Sequence, residues 1–194
     1  MKIAVDLDNT LADTTSVLLR LTNFKFGTNY TLADIQWDFW RSKGPDYDAA
    51  FWEIYKMFDS PEQGGINLRR ALPPVDPLAP GIVKSLIKRG HDVHILTANR
   101  PEAKDSIEAW LFGHGLEMYV ELIGQVSPVE KVKLDYDLFI DDSPKIVPAM
   151  ASAPEKTLIW LSQRGEKADI SGENVWVVEN WRGIQRMLES MGLL

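Results

Sequence analysis

The run Ile3-Ala4-Val5-Asp6-Leu7-Asp8-Asn9-Thr10-Leu11 places two carboxylates, two residues apart, where an apolar N-terminal segment ends. A strand buried on both faces of a parallel sheet reads as an unbroken Ile/Val/Leu run, and open α/β sheets bind ligands beyond the carboxyl ends of such strands. Asp6 and Asp8 are therefore expected at the rim of a parallel sheet. An isolated Asp-x-Asp also suits a solvated pair capping the next helix, so the later strand ends have to decide between the two.

Four further apolar runs read as strands, Val93–Leu96, Leu138–Ile140, Leu158–Leu161 and Val175–Val178, with Tyr119–Ile123 a weaker fifth. Helices fall between most of them. Pro80 opens and Gly90 closes a helix with Ile82, Val83, Leu86 and Ile87 on one face; Pro101 opens another carrying Ile107, Trp110 and Leu111 before Gly113. Ser143-Pro144 and Asn180 mark two more helix starts. Strands alternating with helices predict an α/β fold, a doubly wound, Rossmann-like parallel-sheet core. The chain has 194 residues, 45% of them hydrophobic, which suffices for one such domain with a sizeable insertion.

The alternation fails from Asp13 to about Leu72, where helical apolar spacing and turn signals occur without a convincing strand. This predicts a small helical cap over residues 13–72, inserted after the first strand of a core made from residues 1–12 and 73–194. The return path Leu72-Pro73-Pro74-Val75-Asp76-Pro77-Leu78-Ala79-Pro80 carries four prolines and reads as a stiff strap or hinge. Trp37, Phe39, Trp40, Tyr47, Phe51, Trp52, Tyr55 and Phe58 put eight of the chain's 19 aromatic residues into a 22-residue window. Within it Phe51, Tyr55 and Phe58 follow i, i+4, i+7 spacing, the pattern of helix packing more than of a ligand box.

Composition narrows the function classes. With no cysteine, disulfides, thiolate metal sites and a cysteine nucleophile are excluded, which fits a reducing compartment such as the cytoplasm. No apolar stretch approaches the ~20 residues of a membrane span, and no basic apolar leader precedes the first strand, so a soluble cytoplasmic protein is expected. A formal charge of -7 without a Lys/Arg stripe argues against long nucleic acid as a partner.

The later strand ends also deliver polar groups: Thr97, Ala98, Asn99 and Arg100 after Leu96, and Asp141, Asp142 and Ser143 after Ile140, with Lys131 between them in Pro128-Val129-Glu130-Lys131-Val132-Lys133. Singly these are a cap, a turn and a solvated lysine. In this order they resemble the four motifs of the haloacid dehalogenase superfamily of aspartate-dependent phosphohydrolases. The resemblance implies Asp6 as nucleophile, Asp8 as general acid/base, Thr97 and Ala98 as phosphate-binding residues with Lys131 (Lys133 the second candidate), and Asp141-Asp142 as the acidic metal motif. It further implies magnesium, held by the Asp6 carboxylate, the Asp8 backbone carbonyl and the acidic pair, with Asp142 the direct ligand and Asp141 holding a metal water or Lys131. Superfamily members that cleave carbon–halogen bonds lack the second aspartate, so Asp8 points to phosphate transfer.

Within the superfamily, Leu11-Ala12-Asp13, Phe51-Trp52 and Leu72-Pro73-Pro74 resemble the 5'(3')-deoxyribonucleotidase family. Asn9 stands where that family usually has Gly, and Ala98-Asn99-Arg100 replaces its usual Ser/Ala-Pro. The expected substrate is a nucleoside monophosphate, with Trp37, Trp40, Phe51 and Trp52 as candidate base-stacking rings. A sugar-phosphate phosphatase or phosphomutase is the alternative. Asp6-Leu7-Asp8-Asn9-Thr10-Leu11 and Asp141-Asp142-Ser143-Pro144 are also similar to motifs of polymerase-tail phosphatases, but a cap of this size should block a folded protein surface. A binding protein that kept the fold is a further alternative. His91, His94 and His114 are expected to be ordinary surface or strand residues.

Overall fold

The computed structural model describes residues 1–58, 68–117, 119–122, 127–162 and 172–194. The apolar runs form strands β1 (Lys2–Val5), β2 (Asp92–Thr97), β3 (Tyr119–Leu122), β4 (Leu138–Asp141), β5 (Thr157–Leu161) and β6 (Val175–Val178). All pair in parallel, in the order β3-β2-β1-β4-β5-β6. Ile123, expected at the end of β3, lies outside the described residues. Side chains alternate between two apolar layers: Ile3, Val5, Leu138 and Ile140 face one, while Ala4, Phe139, Leu158 and Trp160 face the other. Burial on both faces is what removes any polar alternation from these strands.

Helices flank the sheet: α1 (Thr14–Phe26), α2 (Phe39–Ser42), α3 (Pro45–Met57), α4 (Ala79–Lys88), α5 (Lys104–Gly113), α6 (Pro128–Lys133), α7 (Ile146–Ala149) and α8 (Trp181–Ser190). α4 buries Ile82, Val83 and Leu86 as its spacing predicts. The expected start at Ser143-Pro144 is a turn, and α7 begins at Ile146. Among the described residues, no helix is long and apolar enough to cross a membrane.

The segment between β1 and α4 contains no sheet strand among its described residues. Asp13 caps α1 by accepting from the Ser16 amide at 3.1 Å, and Gly27, at φ 63°, ends it in the left-handed conformation that glycine adopts without strain. α3 packs on α1, and Phe26 stacks on Tyr47 at 4.1 Å between ring centroids. Much of the aromatic density thus forms this segment's own core. The proline strap runs antiparallel to the chain leaving β1, with Asp13 N–H donating to Pro73 C=O and Val75 N–H to Leu11 C=O.

Candidate active site at the carboxyl ends of the strands

The strand order makes β1 and β4 neighbours at the point where the chain, having built outward through β2 and β3, reverses to build β5 and β6. Loops leaving two such strands diverge to opposite faces and leave a crevice at their carboxyl ends. Asp6 follows β1, Asp141 ends β4 and Thr97 ends β2, so this crevice collects the polar strand ends. The Asp6 amide still donates to Ile140 C=O at 2.9 Å, holding the residue in register as its side chain enters the crevice.

Asp6, Asp141 and Asp142 bring carboxylate oxygens within 4.8 Å of one another. Lys131 Nζ lies 3.2 Å from Asp6 Oδ1 and 2.5 Å from Asp141 Oδ2. The lysine is presented by α6, whose Ser127 cap and Glu130 form a reciprocal capping box. Asp141 Oδ1 accepts from the Ser143 amide at 2.8 Å, so both its oxygens are engaged. Burial, joined by the Asp141 and Asp8 charges, outweighs the pull of Lys131 and pushes the Asp6 carboxyl up to about 7. Burial also works against the Lys131 charge, but Asp141 and Asp6 overcome it and hold the ammonium above its ordinary pKa.

With Asp6 ionised, three carboxylates against one ammonium leave two negative charges in excess. All the donors are hard oxygens. Their chemistry and the uncompensated charge fit a divalent cation such as magnesium.

Asp8 has different surroundings. Its Oδ1 accepts from Thr14 Oγ1 at 2.5 Å and Arg69 Nη1 at 3.0 Å, and its Oδ2 from Asn99 Nδ2 at 2.7 Å, with the Tyr55 hydroxyl 2.8 Å away. Burial raises its pKa, but the Arg69 charge and the bonds from Thr14, Asn99 and Tyr55 hold it below the usual carboxylate value. Asn99 Nδ2 also donates to Thr97 Oγ1 at 2.8 Å, tying Asp8 to the end of β2. Asn9 adopts φ 61°, a left-handed conformation that Asn tolerates better than most residues, and its Oδ1 accepts from the Thr15 amide.

Asp6, Asp141, Asp142 and Lys131 therefore meet in one cluster, with Asp8 and Thr97 linked through Asn99. Ala98 is exposed at the rim, and Lys133 points to solvent. Trp40, 8% exposed, packs edge-on to Phe39 and 5.8 Å from Phe51, which in turn stacks on Tyr55. Trp37 and Trp52 keep 36% and 38% of their surface exposed. Lys145, just before α7, sits over the Trp37 ring at 5.6 Å and so spans from the core to the inserted segment. His91, His94 and His114 contact Leu193, Tyr136 with Asp92, and Trp110 respectively, away from the carboxylates.

Tyr55, Arg69 and Asn99 are absent from the residues expected from sequence. Tyr55 sits in a stripe whose spacing reads as packing, and Arg69 belongs to none of the motifs. Asn99 carried a signal, as a departure from the resembled family beside Thr97.

Neither a family model nor a curated protein matches the sequence. Solved structures do match the fold. A HAD family hydrolase from Deinococcus radiodurans R1, with bound phosphate and sodium, superposes with a TM-score of 0.60 at 14% identity, over 100% of this chain and 96% of that one. A hydrolase from Pseudomonas syringae matches at TM-score 0.59 and 15% identity, covering 98% of this chain and 99% of that one. The L-2-haloacid dehalogenase from Xanthobacter autotrophicus, with chloropropionic acid covalently bound, matches at 0.57 and 14%, covering 98% of each chain. The chain has the α/β Rossmann-like fold of these hydrolases.

Proposed function

We propose that the protein is a magnesium-dependent phosphomonoester hydrolase that works through a phosphorylated Asp6 and acts on nucleoside monophosphates, with residues 13–72 as a helical cap over a core of residues 1–12 and 73–194. The observation that carries this reading is the convergence of Asp6, Asp141, Asp142 and Lys131 in the crevice between β1 and β4. The bound phosphate of one structural neighbour and the covalently bound ligand of another support it. The lack of cysteine fits a cytoplasmic setting.

In the first half-reaction an Asp6 carboxylate oxygen attacks phosphorus in line, and the bond from phosphorus to the ester oxygen breaks. The negative charge of the arriving phosphate opposes the Arg69 charge that keeps the Asp8 pKa low; Asp8 takes up a proton there and gives it to the departing oxygen, leaving an acyl-phosphate on Asp6. In the second half, Asp8 takes a proton from water as the water oxygen attacks phosphorus; the bond to Asp6 breaks and inorganic phosphate leaves. Lys131 and the Thr97 hydroxyl hydrogen-bond the non-bridging oxygens as charge spreads over them. The Asp6 and Asp142 carboxylates and the Asp8 carbonyl would hold a divalent cation, which would supply the positive charge that keeps Asp6 ionised and offsets the phosphate. Asp142 is preferred over Asp141 as direct ligand because Lys131 and the Ser143 amide already engage both Asp141 oxygens.

Burial of Trp40 and the stacking of Phe51 on Tyr55 leave Trp37, beneath Lys145, and Trp52, edge-on to Phe51 and Tyr55, as the rings with exposed surface to offer a base. The same packing favours a second reading, a small sugar-phosphate substrate that needs no stacking ring. Phosphate release from ribo- and deoxynucleoside monophosphates, sugar phosphates and a phosphopeptide, with magnesium or with chelator, separates the readings. Nucleotide preference, loss with chelator and loss in Asp6→Asn are expected. Wild-type turnover by Asp6→Asn, verified free of deamidation, would refute the mechanism, and preference for sugar phosphates would refute the nucleotide reading.

A further inference from the structure

Asp8 is fixed by side chains from four parts of the chain. Thr14 opens α1 and Asn99 follows β2, whereas Tyr55 comes from the last turn of α3 and Arg69 from the 3₁₀ turn Leu68–Ala71. Arg69 is 0% exposed, rare for an arginine unless it is paired. Its described hydrogen-bond partners include Asp8 Oδ1 and Asn99 Oδ1, each at 3.0 Å. Desolvating a guanidinium is costly, and an apolar side chain could fill such a space at lower cost, so packing alone does not explain it.

Asn99 is the post to which both groups from the inserted segment are registered. Its Oδ1 receives Arg69 Nη2 and lies 2.9 Å from the Tyr55 hydroxyl, while its Nδ2 donates to Asp8 and to Thr97. Apart from Tyr55 and Arg69, Asp8 has one described donor per oxygen, Thr14 from the first turn of α1 to Oδ1 and Asn99 from the core to Oδ2. One donor on each oxygen restrains the carboxyl plane only within the latitude of two hydrogen bonds, about a Cβ–Cγ torsion that is intrinsically soft. Arg69 on one oxygen and Tyr55 on the other fix that plane.

We propose that Tyr55 and Arg69 are positioning residues for Asp8: the inserted segment, by docking, aims the acid/base carboxyl at the ester oxygen, and Asn99 aligns both with the phosphate-binding Thr97. The proposal rests on Asp8 having the acid/base role given above. Its signature is a dependence on the leaving group. An alkyl phosphate, such as a nucleotide, must have its departing oxygen protonated and so depends on Asp8's aim; p-nitrophenyl phosphate leaves without that help.

The test compares Tyr55→Phe and Arg69→Met on both esters, alone and combined with Asp8→Asn, in single turnovers with enzyme in excess and magnesium present. Tyr55→Phe is nearly isosteric and reports even if Arg69→Met fails to fold. On the alkyl ester Tyr55→Phe should lower the limiting rate of alcohol release about tenfold and Arg69→Met about a hundredfold, with the half-saturating enzyme concentration within about twofold and less than a threefold effect on phenol release from the aryl ester. Added to Asp8→Asn, Tyr55→Phe should change the alkyl rate by less than about twofold, because its effect passes through a carboxyl already removed. Equal losses on the two esters, or the full Tyr55→Phe loss persisting in Asp8→Asn, overturn the positioning role while leaving the reaction intact. Retained turnover in Asp6→Asn is a different result and overturns the reaction and the positioning role together.

Discussion

Asp6 and Asp8 are two residues apart and their carboxyls are perturbed in opposite directions, because burial, joined by neighbouring carboxylates, raises Asp6, whereas the Arg69 charge and the surrounding donors overcome burial at Asp8. The folded protein without a cation holds a proton on Asp6 up to pH about 7, whereas the unfolded chain releases it near the ordinary 3.8. Between those values the folded state binds more protons. The associated stability is fully present below pH 3.8 and is lost as pH rises through about 7, a change on the order of a few kcal/mol. Asp8 has the opposite sign: its depressed pKa contributes stability above the ordinary carboxylate value, lost as pH falls through its folded pKa. In chelator, Asp6→Asn should therefore melt higher than wild type at about pH 8, with the difference shrinking toward about pH 5. Thermal unfolding of the two proteins across that range checks this, and parallel profiles would contradict it. Asp6, Asp8, Thr97 and the acidic pair were legible in sequence because each sits at or beside a strand end, where a polar residue interrupts an apolar run, whereas Lys131, on α6, was legible only through its place in the motif order. Tyr55 and Arg69 were not, because what makes them site residues is a contact 47 or 61 positions away in the chain, which no local pattern encodes.

At the scale of elements, three buried indoles hold the segments that build the site. Trp181 of α8 donates to Thr10 C=O at 2.8 Å, Trp160 of β5 to Asp142 C=O at 3.0 Å, and Trp110 of α5 to Leu72 C=O at 2.8 Å. Each pins the chain just past β1, just past β4 or at the start of the proline strap. Trp160→Phe keeps most of the buried ring but leaves the Asp142 carbonyl without this donor, which costs about 1 to 3 kcal/mol when nothing replaces it. The expected outcome is a lower melting temperature together with a higher magnesium concentration for half-maximal activity. A magnesium titration of the variant checks it, and an unchanged half-maximal concentration would mean that the Trp160 bond serves stability alone. The core helices and strands were readable from proline starts, glycine ends and apolar runs. α7 was misplaced by about three residues because Ser143 and Pro144 are spent on the turn that orients Asp141 and Asp142.

For the whole molecule, the sheet order sets where chemistry can occur and the inserted segment sets what can reach it. A reversal between β1 and β4 makes a crevice at the carboxyl ends of the strands, and the insert contacts its residues and neighbouring Lys145 through Tyr55, Arg69 and Trp37. The parallel core was foreseeable because it follows from strand–helix alternation. The division of labour among the insert's aromatics was not, since packing rings and ligand rings obey the same helical spacing. The structure separates them: Trp40 and Phe51 support the insert, while Trp37 and Trp52 present exposed faces. Trp40→Ala should therefore lower stability and depress turnover of every ester alike. If a base stacks on this surface, Trp37→Ala or Trp52→Ala should instead lower kcat/KM for a nucleoside monophosphate about tenfold, the equivalent of ~1.4 kcal/mol, with a smaller loss on a generic aryl phosphate and little change in melting temperature. Steady-state kinetics on both substrates, beside thermal unfolding of each variant, make the comparison. Equal losses on the two substrates from both exposed tryptophans would assign them to the cap's structure and turn the substrate search to sugar phosphates.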